Sequence, residues 1–168
     1  MGRKGIQRAV DAASSLVVDL PDEAATAGLA ARLARRARQG DVIGLKGDLG
    51  SGKTTFARAF IRALGDGDEE VPSPTFTLVE VYAFAGKPPV WHFDLYRLTA
   101  AEESYELGIE DALAEGISLI EWPERLGRSL PAEHLLLALE PGRGPDARTA
   151  RLAATADWVG RLGGIDHG

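Results

Sequence analysis

The chain contains no cysteine, no asparagine, one methionine and only two glutamines. Without cysteine it can carry no disulfide framework, no zinc–thiolate centre and no thiol nucleophile, and thiols leave its compartment undecided. Without asparagine it cannot carry a GTPase-type base-reading motif built on that side chain. Gln7 and Gln39 both stand ahead of Gly40, so no glutamine follows the later strands. A water-positioning glutamine of the GTPase kind is therefore missing, and intrinsic hydrolysis of any bound nucleotide is expected to be slow. No apolar run approaches the length of a membrane span. Arg3, Lys4 and Arg8 open the chain, but no apolar segment follows before Ser14, so no secretory signal is read. The expectation is a cytoplasmic protein with no membrane attachment. Basic excess is lacking too: the formal net charge is −6. The chain has no electrostatic footprint for holding nucleic acid alone, so any RNA would be held by another subunit. His92, His134 and His167 are scattered without metal-ligand spacing and are read as ordinary structural or surface residues.

What is present is ordinary in bulk and specific in one stretch. At 168 residues, 45% hydrophobic and 26% charged, the chain suits one soluble domain with a full core. Residues 1–14 are polar and small and read as a loose tail, leaving 15–168 as a single domain. Gly47-Asp48-Leu49-Gly50-Ser51-Gly52-Lys53-Thr54-Thr55 matches G-x-x-x-x-G-K-[ST], the phosphate-binding P-loop. Val42-Ile43-Gly44-Leu45 before it is short and apolar, as a buried strand is. After it, Phe56, Phe60, Ile61 and Leu64 recur at helical spacing until Gly65. Strand, glycine-rich loop and helix are the context in which the loop's N–H groups and the helix N-terminus face one anion-binding concavity. Lys53 would then reach the β- and γ-phosphates, and the Thr54 hydroxyl would bind Mg2+.

The flanking chain alternates strands and helices. Leu16 to Leu20 reads as a first strand. Pro21-Asp22-Glu23 opens a helix running to Arg38. Thr77 to Phe84 and Val90 to Tyr96 are β-rich and are separated by Gly86-Lys87-Pro88-Pro89, which suggests a hairpin. Thr99-Ala100-Ala101-Glu102 resembles a capping box, with helix to Glu106 and again over Ile109 to Ala114. Ile117 to Trp122 reads as a strand closed by Pro123. Leu135 to Leu139 and Thr149 to Ala154 form a candidate strand pair, and Asp157 to Leu162 a short terminal helix. The fold class expected is α/β: a P-loop NTPase-like three-layer fold, its mixed, mostly parallel sheet flanked by helices and carrying an antiparallel hairpin.

A P-loop needs a second carboxylate for Mg2+ or its waters. Asp94 ends the run Val90-Trp91-His92-Phe93, and Glu121 ends Leu119-Ile120. Ligands of open α/β sheets bind at the carboxyl ends of strands, so both acids are candidates to meet the loop. Ser73-Pro74-Thr75-Phe76 is the candidate mobile element, with Thr75 a switch hydroxyl sensing the γ-phosphate.

Four motifs in fixed order carry a resemblance: the P-loop, Ser73-Pro74-Thr75-Phe76-Thr77-Leu78-Val79-Glu80, His92-Phe93-Asp94-Leu95-Tyr96-Arg97 and Ile120-Glu121-Trp122-Pro123. Over roughly Leu20 to Leu139 the sequence resembles the TsaE (YjeE) family, bacterial P-loop ATPases needed for the threonylcarbamoyladenosine modification of tRNA. The resemblance implies binding of ATP and Mg2+ and weak hydrolysis. It implies docking on the TsaB–TsaD heterodimer, in which TsaD transfers the threonylcarbamoyl group to A37 of ANN-decoding tRNAs. The ATPase would reset that complex between turnovers without transferring the group. By motif, Thr54 and Glu121 correspond to Mg2+ ligands, and Gly50, Ser51, Gly52, Lys53, Thr54 and Thr55 to phosphate contacts. Asp94 corresponds to the acid that holds metal water or orients the attacking water. Trp122 lines the site, and Glu23 matches a position near the nucleotide. The final third departs most, at Gly142-Arg143-Gly144-Pro145.

Two other functions use the same motif. A small-molecule kinase would need an acceptor pocket and an arginine-bearing lid, for which no clear segment stands out. A non-catalytic, nucleotide-gated assembly module would tolerate loss of Asp94.

Overall fold

Val42 to Leu45 is apolar at successive positions, as a strand covered on both faces must be. In the computed structural model, which describes residues 15–166, that run is the buried part of β2 (Val42–Lys46). The expected tail over residues 1–14 lies outside the described residues, as does His167. Strand β2 is flanked in parallel by β5 (Ile117–Glu121), buried along its whole length, and by β6 (Leu135–Pro141). Strand β4 (Val90–Asp94) pairs in parallel with the far side of β5.

Around this parallel centre both flanks are antiparallel. The expected hairpin forms: β3 (Val79–Tyr82) pairs with β4 in the register Val79 to Phe93. Strand β7 (Arg148–Ala154) runs antiparallel to β6, and β1 (Ser15–Leu20) antiparallel to β7. The seven strands among the described residues lie in the order β1-β7-β6-β2-β5-β4-β3.

Helices cover both faces. Helix α1 (Glu23–Arg36) is capped by Asp22, whose carboxylate accepts from the Ala25 N–H at 2.8 Å. It ends two residues before the expected Arg38, because Ala37 turns extended. Helix α2 (Lys53–Leu64) packs beside it, and Leu29, Leu33, Phe56 and Phe60 share one core with Ile43, Leu45, Leu119 and Leu137. The other face is covered by α4 (Ile109–Glu115), which follows the single turn α3 (Glu103–Glu106), and by a 3-10 helix over Pro123–Ser129. There Ile109, Ala112 and Leu126 bury Val42, Phe93 and Ile120. Three layers result.

Local readings shift by a residue or two. The acid that closes the box at Thr99 is Glu103, not Glu102: it accepts from the Ala100 N–H at 3.1 Å and from the Thr99 hydroxyl. The terminal helix α5 spans only Ala156–Val159. Among the described residues no helix is long and apolar enough to cross a membrane.

Candidate functional site

The loop joining β2 to α2 is shaped by glycines that nothing else could replace. Gly47 has φ of 147°, and a Cβ there would stand 2.8 Å from the Leu139 carbonyl oxygen. Gly52, at φ 101°, turns the chain into the first residue of α2. The N-terminus of α2, with its unpaired N–H groups, thus opens at the carboxyl edge of β2.

Lys53 is almost wholly buried. Its ammonium donates to the Gly47 carbonyl at 2.6 Å and the Asp48 carbonyl at 2.8 Å, and lies 4.7 Å from the centre of the Trp122 ring. Burial pulls its pKa below the ordinary lysine value, against the opposing pull of Glu121, Asp94, Glu124 and Asp48. At the next residue, in the first turn of α2, the Thr54 hydroxyl donates to Glu121 at 3.2 Å from one carboxylate oxygen and 3.4 Å from the other.

Both acids arrive as the sheet register dictates. Asp94 and Glu121 are directly opposed at the ends of β4 and β5. Each is buried, at 7% and 3% exposure, where an unpartnered carboxylate would be costly. Asp94 accepts from the Thr75 hydroxyl at 3.2 Å and from the Tyr96 N–H at 3.1 Å. Thr75 in turn shares a 2.7 Å bond with the Ser73 hydroxyl. Glu121 also meets the imidazole of His92, 2.7 Å from its Nε2.

The two non-glycine residues with positive φ among the described residues both adjoin these acids. Trp122, at φ 61°, follows Glu121 directly. Leu78, at φ 67°, lends its carbonyl to the Asp94 N–H at 3.0 Å. Such backbone persists only where its surroundings hold it, and it concentrates at functional sites.

A cavity of about 390 Å³ runs between these groups. Every residue expected at the site from sequence lines it: Glu23 and Gly50 to Thr55, then Thr75, Asp94, Glu121 and Trp122. The donors are hard oxygens, a hydroxyl and carboxylates, which suit Mg2+ rather than a soft metal. No group of three or more His, Cys, Asp or Glu gathers as a metal site among the described residues. Thr54 and Glu121 are the side chains that could hold such an ion.

The cavity has further walls that sequence reasoning missed: Tyr96, Arg97 and Arg148. Arg148 opens β7, and its guanidinium donates to the Ser51 carbonyl at 2.8 Å and the Gly50 carbonyl at 3.3 Å. It braces the loop from outside. It also borders a second cavity of about 630 Å³, lined by Asp19, Pro21 and Arg143. No local pattern marks it; only the placement of β7 beside β6, next to β2, brings it there. His92 lies buried beside the site, bonded to Glu121. It sits two residues before Asp94 on the same strand, and hence on the same face of the sheet, a period-2 signal that was available.

Comparison with known proteins gives the family. A family model described as "Threonylcarbamoyl adenosine biosynthesis protein TsaE" matches residues 20–150. A protein of Bacillus subtilis (strain 168) named "tRNA threonylcarbamoyladenosine biosynthesis protein TsaE" is 37% identical over 138 residues, covering 82% of this chain and 83% of its own length. A Rickettsia conorii protein of the same name is 44% identical over 105 residues, or 62% of this chain, and is itself covered over only 59% of its length. The crystal structure of Bacillus subtilis YdiB superposes with a TM-score of 0.72 at 28% identity, covering 90% of this chain and 93% of that one. The matched span takes in all four motifs and both acids, and the chain belongs to the TsaE family.

Proposed function

We propose that this protein binds Mg·ATP at the P-loop, hydrolyses it slowly by itself, and works in the biosynthesis of threonylcarbamoyladenosine in tRNA. Its protein partners in this reading are TsaD and TsaB, and tRNA is met only through them. The biosynthetic role is what the names of its relatives state of those relatives. The observation that carries the chemistry is the convergence of Thr54, Glu121, Asp94 and Thr75 on one cavity with the P-loop.

In this reading the loop N–H groups and Lys53 cradle the phosphates. Lys53 exchanges the carbonyls of Gly47 and Asp48 for phosphate oxygens, a move of its flexible end alone. Thr54 and Glu121 hold the metal, which when bound neutralises charge developing between the β- and γ-phosphates. Asp94 accepts a hydrogen bond from the attacking water and orients it in line. Thr75, tied to Asp94, reports whether the γ-phosphate is present. No glutamine supplements Asp94, so partner binding is what completes the arrangement.

The test is a fluorescent-ATP titration and single-turnover phosphate release, each with and without a TsaB–TsaD complex. Lys53→Ala should weaken Mg·ATP binding at least tenfold, at roughly 1.4 kcal/mol or more. Unchanged affinity in that variant would remove the site. A phosphorylated acceptor in place of free phosphate would make the protein a kinase.

A further inference from the structure

His92 is fully buried in the middle of β4, and it is not paired as a core histidine should be. Its Nε2 lies 2.7 Å from Glu121, while its Nδ1 is buried with no hydrogen-bond partner. An ionised glutamate can only accept, so Nε2 must carry the proton and donate. The lone pair on Nδ1 is then left orphaned, at a cost that a phenylalanine or leucine would avoid. The imidazole makes one polar contact, and that contact is with the carboxylate that also receives the Thr54 hydroxyl.

We propose that His92 is a positioning residue for Glu121: it holds the carboxylate turned toward Thr54, ready for the divalent cation that accompanies the nucleotide. The inference rests on the Mg·ATP reading given above. Glu121 has three side-chain torsions, and a carboxylate free to rotate must be ordered each time an ion binds. A donor fixed in the sheet removes that cost, because β4 and β5 are adjacent and the histidine has no room to move. His92 holds Oε2 at 2.7 Å, and the Thr54 hydroxyl lies nearer Oε1, at 3.2 Å, than Oε2, at 3.4 Å. Strand β4 thereby serves the site twice from one face: Asp94 lines the cavity, and His92, two residues earlier, sets the acid on the neighbouring strand.

The experiment measures the affinity of the full-length protein for fluorescent ADP with Mg2+ and with EDTA, alongside thermal unfolding. ADP avoids any change from hydrolysis. Wild type should bind more tightly with Mg2+ than without. His92→Phe should lose about tenfold of that Mg2+-dependent gain, the usual effect of removing an outer partner of a metal ligand. Its affinity in EDTA should stay within about twofold. His92→Gln, whose Nε2 can reach the same carboxylate, should restore most of the gain. Should His92→Phe fail to fold, His92→Asn takes its place, since its shorter amide cannot reach Glu121, and the same loss is expected. A full Mg2+ gain in His92→Phe or His92→Asn overturns the inference, as does equal weakening with and without Mg2+. Wild-type protein that binds no ADP in either condition refutes the nucleotide reading, and the inference falls with it.

Discussion

Arg161, two residues past α5, closes the molecule on the strand that feeds the P-loop. Its guanidinium donates in a fork to both oxygens of Asp41, at 2.7 and 2.9 Å. It also donates to the Arg36 carbonyl at the end of α1, at 3.0 Å, and lies 3.8 Å over the Trp158 ring. The two side chains are 8% and 5% exposed, and the bonds to Asp41 hold the guanidinium's pKa above its ordinary value. Asp41 immediately precedes β2, so the pair ties the segment after α5 to the start of the strand whose far end leads into the phosphate loop. Arg161→Met keeps much of the packing and removes the charge. The Asp41 carboxylate is then left buried, and breaking such a pair costs about 3–5 kcal/mol. A whole domain of this kind has about 5–15 kcal/mol of stability, so the loss is a large share. At about 2–4 °C per kcal/mol, unfolding should come roughly 10 °C earlier. The assay is urea unfolding followed by tryptophan fluorescence. Asp41→Asn should also destabilise, but the double variant should lose less than the two singles together, by about 1–3 kcal/mol. A cost below about 1 kcal/mol for Arg161→Met, or simple additivity, would show that the pair does not hold the terminus.

Arg148→Met removes two donors from the P-loop carbonyls of Ser51 and Gly50. Fluorescent-ADP affinity should fall about tenfold, and urea stability should fall by no more than about 1.5–3 kcal/mol, the net worth of hydrogen bonds from a charged group. Thr75→Ala should leave ADP affinity unchanged and slow phosphate release at least tenfold, with Thr75→Ser near wild type; equal rates in all three would remove Thr75 from the mechanism. Tyr82 carries a buried hydroxyl without a partner, and burial raises its pKa above the ordinary tyrosine value. The unfolded chain therefore releases that proton first, and the stability it represents is complete below about pH 10 and lost as pH rises through the folded value. Tyr82→Phe should be neutral or stabilising by as much as about 1 kcal/mol near pH 7. It should also lessen the alkaline decline in a pH series of melting temperatures.

The parts of this fold that could be read from the sequence are those with a local cause. The P-loop was legible because its glycines serve backbone shapes that no other residue tolerates. Asp94 and Glu121 were legible because each ends an apolar run, and parallel strands deliver their carboxyl ends to one edge. Arg148 was not, since its role depends on β7 lying beside β6, a pairing between elements with no shared local pattern. His92 was legible only in part. Its spacing from Asp94 puts both on one face, but the partner that gives it meaning is Glu121, on another strand. The boundaries that moved, at Arg36, Glu103 and Val159, are helix ends, where capping contacts outweigh propensity.

The site's members are not equally fixed, and that difference bears on how it works. Glu121 sits in a strand buried at every residue, between Thr54 on one side and His92 on the other. Asp94 is held by its strand and by the Tyr96 N–H. Thr75 lies instead in an irregular loop, bonded only to Ser73 and Asp94 through its hydroxyl, beside a Phe76 that is 82% exposed. In the proposed function a γ-phosphate above Lys53 would compete for that hydroxyl, and the packed strands would not yield to it. The response would then fall on the loop from Ser73 to Phe76. The exposed Phe76 ring lies 5.0 Å from the guanidinium of Arg97, which lines the same cavity. On that reading a change at the phosphate would reach the surface through the Thr75 hydroxyl and the next residue of chain, Phe76.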